Sequence, residues 1–317
     1  MDGSCHTCQD SPGNYMNNNF TIGAIFSVYE QDSPAYLFEA LYSILRNQTH
    51  PLDSAVGVIE GTISEQLEKV VGYFNEVDWI RIPRQTEAPG QFGLPYALNR
   101  AIAEIEASIV LKVDTDDWND KDRVSLTLKE FKMHENLVLH GSDLLEWDES
   151  LHDPISVRFV PKGQKEILKK VKWQNPFNGP TVAFRKAFVL EMGGFPIVGA
   201  NEDYALWGKV LMNNAETSNS SELYVHQRGG FGLMKRRRGN RYLKGEKQTL
   251  IYLRNEGVFS LPVYLVHLSF KSLIRQLPES LLSYIYNHLR KSVPADCIHL
   301  NGIAEARFEF DNLCNEN

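Results

Sequence analysis

The sequence predicts an α/β protein organised around an open sheet whose strands are mainly parallel. Between Thr21 and Phe131, short apolar and β-prone runs alternate with amphipathic helical stretches. The runs are nearly continuous in apolar residues, as expected of strands that are buried on both faces. Strands and helices that alternate in this way are joined by right-handed crossovers, and such sheets bind ligands at the carboxyl ends of their strands.

Four strand and helix units account for this first part of the chain. The strands are expected at residues 21–28, 55–59 and 79–82 and in the apolar run that begins at Ile109. Ser33 and Pro34 are typical of the N-cap and first position of a helix, which should run to about Asn47. Asp120 is expected to cap the fourth helix. Apolar residues at helical spacing predict the other helices, with the sets Leu67, Val70, Val71 and Phe74, then Leu94, Leu98, Ile102 and Ile105, then Val124, Leu128 and Phe131.

The regular alternation of strands and helices ends in the middle of the chain. We expect strands at residues 138–142 and 181–184, and a helix that starts at Arg185 and ends at Gly193 and Gly194, which suit a C-cap. Asn201 is a predicted N-cap. It is followed by Glu202 and Asp203, and acids in the first turn of a helix are stabilised by the helix dipole whatever else they do.

The fourth strand stops abruptly in carboxylates, in the stretch Asp-Thr-Asp-Asp. Asp114 and Asp116 are two residues apart, so in an extended segment both side chains point to one side, where they can share a divalent cation with a phosphate group. Asp117 should point away. The alternative is a solvated aspartate-rich turn before a helix.

Composition and charge narrow the function classes. The 317 residues are 43% hydrophobic and carry a net charge of −7, which argues against a general nucleic-acid binder. The four cysteines lie near the termini, which argues against a disulfide-stapled secreted fold. Residues 1–19 are polar, lack the pattern of a signal peptide and are expected to be a disordered tail, so we predict a cytoplasmic protein.

Two common nucleotide-binding classes lack their phosphate loops here. A dinucleotide-binding sheet needs Gly-x-Gly-x-x-Gly after its first strand, whereas this chain has Tyr29-Glu30-Gln31-Asp32 at that place. No Walker A sequence occurs in the chain. The prediction is therefore a nucleotide-sized crevice of another kind, lined at the strand ends by Ser27, Glu60 and Asp114.

Ten short motifs, each weak alone, occur in an order that makes the chain resemble the family 2 glycosyltransferases of bacterial surface-polysaccharide synthesis, in particular the amylovoran-type enzymes. The resemblance covers roughly residues 21–250. The motifs are Ser27-Val28-Tyr29, Ser43-Ile44-Leu45 with Gln48-Thr49, Glu60-Gly61, Ala97-Leu98-Asn99, Asp114 to Asp117 with Arg123, Asn175 to Asn178, Phe184-Arg185-Lys186, Gly193-Gly194-Phe195, Glu202-Asp203-Tyr204 with Leu206-Trp207, and Arg237-Arg238-Gly239.

The resemblance implies a GT-A fold, an open mixed sheet with a Rossmann-like nucleotide-binding half and an acceptor-binding half. It implies an inverting hexosyl- or N-acetylhexosaminyltransferase that moves a sugar from a nucleotide-diphosphate donor, expected to be a UDP-sugar, to a glycan or lipid-linked acceptor. By the same resemblance Asp203 is the catalytic base, and Asp116 with Asp114 binds Mn²⁺ or Mg²⁺. The implied substrate-binding residues are Ser27, Tyr29, Glu60, Asn99, Asp114, Glu202, Arg237 and Arg238.

This sequence departs from the family pattern at three points. Relatives mostly have Asp where Glu60 stands, which bears on recognition of the nucleotide base. They often have His where Gly179 stands, which bears on acceptor contacts. The Gln-x-x-Arg-Trp motif of processive relatives is absent, which favours a single addition over polymerisation.

Two later segments leave alternatives open. Lys235-Arg236-Arg237-Arg238 follows a glycine-rich stretch, and we interpret it as a basic loop that closes on the diphosphate; the alternatives are a solvated charge run or a surface for anionic lipid. Residues 251–317 are expected to form a helical extension after the catalytic domain of residues 20–250. It either lies on the cytoplasmic leaflet of the inner membrane or packs on that domain.

Two other functions remain possible on the sequence alone. A sugar-1-phosphate nucleotidyltransferase also places acids around a metal on an open sheet, although no basic phosphate loop follows the first strand here. A catalytically silent sugar-nucleotide-binding protein would keep the same fold. Turnover of a sugar nucleotide separates all three.

Overall fold

A computed structural model describes residues 20–83, 93–229, 239–274 and 300–315 of the chain. The predicted tail at residues 1–19 and the basic stretch that contains Arg237 and Arg238 lie outside the described residues.

The described residues contain nine strands and ten α-helices. The strands are β1 Ile22–Tyr29, β2 Ser54–Glu60, β3 Asp78–Ile82, β4 Ile109–Lys112, β5 Trp118–Asn119, β6 Leu137–Trp147, β7 Pro154–Arg158, β8 Ala183–Arg185 and β9 Glu216–Arg228. The helices are α1 Pro34–Leu45, α2 Glu65–Tyr73, α3 Leu94–Glu104, α4 Arg123–Met133, α5 Gln164–Lys170, α6 Lys186–Glu191, α7 Glu202–Met212, α8 Gly239–Asn255, α9 Leu261–Ile274 and α10 Ile303–Asn315. A 3₁₀ turn spans Gly179–Thr181.

The described strands form a single open mixed sheet, as predicted. Its order is β3-β2-β1-β4-β8-β6-β9-β5, with β7 paired to β6. Strands β3, β2, β1 and β4 are parallel, because a helix connects each one to the next. Strand β8 runs antiparallel to both β4 and β6, and β9 is parallel to β6. The run of adjacent parallel strands therefore ends at β4, and a separate parallel pair, β6 with β9, lies beyond β8.

The predicted helix starts are confirmed at α1 and corrected at α4. The Ser33 hydroxyl accepts a hydrogen bond from the Tyr36 amide, so Ser33 caps α1. Asp122, and not Asp120, occupies the N-cap position of α4. Asp120 Oδ1 instead accepts from the Asp122 amide at 2.9 Å, which makes a turn one step before the helix. An Asp side chain that accepts from the amide two residues later is found both in turns and at helix N-caps, so the sequence alone does not distinguish these two roles.

Apolar cores lie on both faces of the sheet, which agrees with the nearly continuous apolar runs of β1, β2 and β4. One core holds Phe184, Phe195 and Trp207, with side chains from α3, α6, α7 and α8. The other holds Phe38 and Phe131, with side chains from α1, α2 and α4. The helices on each face cover the sheet sides and leave the carboxyl edge of the parallel strands uncovered.

The C-terminal helices pack on different sides of the molecule. The expected domain boundary at residue 250 falls inside α8, where Leu250 and Leu253 are buried in the core. Helix α10 lies against α1, with the Phe310 ring 5.4 Å from the Phe38 ring. Among the helices that are described, none has the length and hydropathy needed to cross a membrane.

Candidate active site

A cleft of about 1110 Å³ lies at the carboxyl edge of β1, β2 and β4. The opposite wall comes from β7, the 3₁₀ turn and the start of α7. Seven of the residues predicted for the site line this cleft, although they come from four separate parts of the chain. They are Ser27, Tyr29, Glu60, Asp114, Asp116, Glu202 and Asp203.

Asp114 and Asp116 follow the end of β4 and face the cleft. Two carboxylates at an open cleft fit a hard divalent cation, because Mg²⁺ is commonly held by one or two carboxylates together with substrate phosphates. Within the described ranges, no group of three His, Cys, Asp or Glu side chains is placed to hold a metal by itself. These two carboxylates therefore suit a cation whose other ligands come from a phosphorylated substrate.

Lys112, which the sequence reasoning missed, is the cation beneath this site. Its side chain is buried at the end of β4, and its ammonium donates to Asp114 Oδ1 at 2.5 Å. Burial alone would lower the pKa of Lys112, but the carboxylates of Asp114 and Asp203 outweigh burial and raise that pKa above its usual value. The available signal was a charged residue inside an otherwise apolar strand, since a buried charge requires partners.

Asp203 and Glu202 open helix α7 on the opposite wall. Asp203 Oδ1 accepts from the Tyr204 amide at 2.8 Å, and its other oxygen lies against Gly179. A Cβ at Gly179 would come within 2.2 Å of Asp203 Oδ2. Burial, and then the neighbouring Asp203 carboxylate, raises the pKa of Glu202 to about 7. The position of the Asp203 carboxylate thus depends on a glycine across the cleft wall.

Asn201 occupies the predicted N-cap position of α7, but it does not cap through its side chain. Its backbone is left-handed, with φ of 56°, and its side-chain oxygen accepts from the Tyr242 hydroxyl at 3.2 Å. This contact ties the start of α7 to α8.

Arg123 connects the two walls of the cleft from below. Its guanidinium is buried and donates to the Lys112 carbonyl at 2.9 Å and to the Pro180 carbonyl at 2.8 Å. A further bond reaches Asn119. The end of β4 and the 3₁₀ turn beside Asp203 are therefore held to one another through a single planar side chain.

Asp117 has a structural role. Its buried carboxylate accepts from the Arg228 amide at 2.9 Å and from the Gln227 side chain at 3.4 Å. Burial, and then Asp116 and Asp114, raises the pKa of Asp117 well above its usual value. Asp117 is not among the residues that line the cleft, as predicted, but the reason is a turn at residues 115–117 and not the alternation of an extended segment, since Thr115 lines the cleft together with Asp114 and Asp116.

Glu60 and Tyr29 form the wall at the ends of β1 and β2, where the two residues pair in register. Glu60 Oε2 accepts from the Gly93 amide at 2.7 Å. Gly93 has φ of 83°, a value that glycine adopts without strain, and it precedes α3. Glu60 therefore joins the end of β2 to the start of α3 while its carboxylate lines the cleft.

Among the described residues predicted for the site, Asn99 is not part of the cleft lining. Asn99 exchanges two hydrogen bonds with the backbone of Phe195, at 2.7 and 2.8 Å, and is absent from the cleft lining. Gly194 fits closely against it, since a Cβ there would lie 2.3 Å from Asn99 Oδ1. These contacts account for Asn99 by structure alone. Arg237 and Arg238 lie outside the described residues.

The chain is similar in sequence to three curated glycosyltransferases. It is 30% identical over 272 residues to an uncharacterized glycosyltransferase of Haemophilus influenzae, which covers 85% of this chain and 99% of that relative. It is 29% identical over 265 residues to the UDP-Gal:alpha-D-GlcNAc-diphosphoundecaprenol beta-1,3-galactosyltransferase of Escherichia coli, 84% of this chain and 94% of that one. It is 27% identical to the amylovoran biosynthesis glycosyltransferase AmsE of Erwinia amylovora, over 85% and 99% of the two chains.

Solved structures share the fold. S. aureus TarS 1-349 in complex with UDP-GlcNAc superposes with a TM-score of 0.54 at 18% identity, over 73% of this chain and 66% of that one. The mannosyltransferase PcManGT from Pyrobaculum calidifontis, in complex with GDP-Man and Mn²⁺, has a TM-score of 0.52 at 16% identity, over 94% and 86% of the chains. No family model matches the chain. These neighbours have the GT-A fold that the motifs implied.

Proposed function

This chain belongs to the glycosyltransferases, and from that premise we propose that it transfers a sugar, with inversion, from a UDP-sugar to a lipid-linked glycan during surface-polysaccharide synthesis. A relative at 30% identity over 85% of the chain supports the family. The donor and acceptor classes are proposed from the names of relatives, one a galactosyltransferase on a diphosphoundecaprenol acceptor and another an amylovoran biosynthesis enzyme.

The observation that carries the proposal is the convergence of two acidic pairs in one cleft. Asp114 and Asp116 follow β4, whereas Glu202 and Asp203 start α7, and all four line the same space of about 1110 Å³. Transfer of a sugar needs negative charge stabilised on the leaving diphosphate and a base on the attacking hydroxyl. Two acidic groups on opposite walls meet these two requirements.

Asp114 and Asp116 would hold Mn²⁺ or Mg²⁺ beside the donor diphosphate. The fit rests on their oxygen donors, their place on the cleft wall and the fact that such cations usually take substrate phosphates as further ligands. When bound, the cation stabilises negative charge on the leaving diphosphate. The protein's own part is to orient these carboxylates, and the Lys112 ammonium orients Asp114 by donating to it.

On the donor wall, Ser27, Tyr29 and Glu60 lie where the base and ribose of a nucleotide would bind. They sit at the carboxyl ends of adjacent parallel strands, the usual place for a nucleotide in an open α/β sheet. Glu60 accepts one bond from the Gly93 amide through Oε2, and carboxylate oxygens can also accept from donors on the nucleoside.

On the acceptor wall, Asp203 acts as the general base. The acceptor hydroxyl oxygen forms a bond to the anomeric carbon as the bond from that carbon to the diphosphate oxygen breaks, and the electron pair leaves with the diphosphate. Asp203 takes the hydroxyl proton. Attack from the face opposite the leaving group inverts the anomeric centre, which agrees with acids on opposite walls. Glu202 lies beside Asp203 and orients the acceptor.

A panel of nucleotide sugars, incubated with the purified protein and Mn²⁺, tests the donor class. One UDP-sugar should raise the unfolding temperature and be consumed, because a ligand that binds only the folded state stabilises it. Asp116→Ala should abolish consumption that depends on Mn²⁺ or Mg²⁺ while the protein stays folded. Asp78→Ala, at the exposed start of β3, is the matched control and should behave as wild type. Full activity in Asp116→Ala would overturn the metal assignment.

A further inference from the structure

Helix α9 carries apolar side chains on the side that faces away from the protein. Within the described residues, this row of large apolar groups is between 50% and 62% exposed. We call it the α9 face, and it consists of Leu261, Leu265, Val266, Phe270 and Leu273. Soluble helices normally present the opposite arrangement, with polar residues outward, and exposed apolar patches of this kind mark interaction surfaces.

Polar contacts on the inner side hold α9 in this orientation. His267 is buried and its Nε2 lies 2.9 Å from the Lys172 carbonyl. The Lys271 ammonium donates to the buried Glu246 carboxylate at 2.7 Å. Rolling the α9 face inward would break both contacts and take the Lys271 ammonium away from the buried Glu246 carboxylate, so the apolar side remains outward.

Trp173 and Lys172 contact α9 through His267, and further lysines precede them along α5. Trp173 is 58% exposed, and its ring lies 5.9 Å from the ring of His267. Lys165, Lys169 and Lys172 are exposed on α5 and the segment that follows it. The chain as a whole carries a net charge of −7, so this concentration of lysines is local. Leucine, phenylalanine and tryptophan bordered by lysine are the composition of a helix that lies in the interface of an anionic bilayer.

The same segment leads into the cleft. Lys170, Gln174 and Asn175 line the cleft on either side of the exposed Trp173 in sequence. A surface that covers the α9 face and Trp173 therefore adjoins the acceptor wall, and not the strand ends that would bind the nucleotide.

We propose that the α9 face, together with Trp173 and the neighbouring lysines, docks the protein on a bilayer that contains anionic lipid, with the acceptor wall of the cleft towards the membrane. The exposed apolar side chains of the α9 face and the positive charge of the nearby lysines support docking. The orientation of the cleft also rests on the proposed function, since it implies that the acceptor is a lipid-linked glycan that enters from the membrane surface.

Flotation of the full chain with vesicles tests docking. Vesicles of phosphatidylcholine and phosphatidylglycerol in equal parts should bind the protein at low salt, and pure phosphatidylcholine should bind it less. Leu265→Glu with Phe270→Glu should reduce binding by roughly tenfold or more for each side chain, because each loses its apolar burial in the bilayer. Lys169→Glu with Lys172→Glu should reduce binding only to the anionic vesicles.

The matched control is Met133→Glu with Leu190→Glu, which charges two exposed apolar side chains of α4 and α6. It should bind vesicles as wild type does. Docking is overturned if wild type binds neither vesicle, or if the double variant of α9 binds as well as the control. It is equally overturned if wild type is a dimer that the α9 variant converts to a monomer, since a second copy then covers the face.

Turnover of the donor in the absence of vesicles distinguishes this proposal from the proposed function. The α9 variant should keep wild-type turnover with a water-soluble acceptor analogue, because its substituted residues do not line the cleft. Loss of vesicle binding with turnover intact supports docking. Vesicle binding without any donor turnover would leave docking standing and remove the proposed function.

Discussion

The two halves of the sheet differ in how they are held. The first half, β1–β4 with α1–α4, consists of strands whose partners follow one another along the chain with a helix between. The second half, β5–β9 with the 3₁₀ turn and α7, depends on contacts between distant residues, such as the Asp117 carboxylate with the Arg228 amide. Repetitive local patterns therefore build one wall of the cleft, whereas specific long-range bonds place the opposite wall.

The cleft lies where the two halves meet, and the Arg123 and Lys112 side chains act across this boundary. Arg123 bonds the Lys112 carbonyl in the first half and the Pro180 carbonyl in the second. The Lys112 ammonium donates to Asp114, and the charge of Asp203 across the boundary helps to raise the pKa of Lys112. Some substitutions at this boundary should therefore change mainly the rate of transfer, and others mainly the free energy of unfolding.

The largest effect is expected for Asp203→Asn. Asparagine keeps the size and the acceptor oxygen for the Tyr204 amide but cannot take a proton, so transfer should fall by roughly 10²–10⁴-fold. Donor-induced stabilisation should persist, because the donor wall belongs to the first half. Asp78→Asn is the control and should be neutral. Transfer within a few-fold of wild type would assign Asp203 to the helix terminus alone.

Gly179→Ala should displace the base without unfolding the protein. The new Cβ would lie 2.2 Å from Asp203 Oδ2, and the carboxylate at the end of its side chain must move. A shift of about 1 Å at a catalytic group costs on the order of 10²-fold in rate. Gly72→Ala is the control, since nothing lies within 4 Å of a Cβ at that helical position. Equal transfer rates for the two variants would show that the Asp203 position is not set by Gly179.

Arg123→Met tests how much the Arg123 hydrogen bonds between the two halves contribute to the free energy of unfolding. The variant leaves the Lys112 and Pro180 carbonyls without their donor, and each unpaired buried group costs about 1–3 kcal/mol. We expect the free energy of unfolding, measured in urea, to fall by at least about 2 kcal/mol. Arg100→Met removes only an exposed pair with Glu104 and should cost less than about 0.5 kcal/mol. Similar losses in the two variants would contradict the role given to Arg123.

The smallest effect is a pH dependence of stability at Glu202. Burial, and then Asp203, raises its folded pKa to about 7 from an ordinary value of 4.5. The folded state therefore binds the proton more tightly than the unfolded state, and this contribution is complete below pH 4.5 and lost as the pH rises through about 7. Wild type should lose stability relative to Glu202→Gln across that window. Parallel curves of unfolding free energy against pH would contradict the raised pKa.

The first half could be predicted from the sequence because its signals are local. Apolar runs predicted β1 to β4 within a few residues, and Ser33 with Pro34 predicted the start of α1. In the second half, β6, β8, α6 and the start of α7 were predicted, whereas β5, β7 and α5 were not. The long strand β9 was missed, since its first part is polar and its burial comes from pairing with β6, far away in sequence.

The site divides in the same way. The sequence alone determined that acids follow a buried strand and that two further acids open a helix, because a carboxylate at the end of an apolar run has no use in packing. Only the tertiary structure decided that Lys112 bonds Asp114 near Asp203, that Gly179 makes room for the Asp203 carboxylate, and that Asn99 serves the Phe195 backbone instead of the cleft. Local patterns specify which residues are polar and where strands end. Which of these polar residues come into contact depends on the pairing of strands that are distant in sequence, and hydrophobic periodicity does not show that pairing.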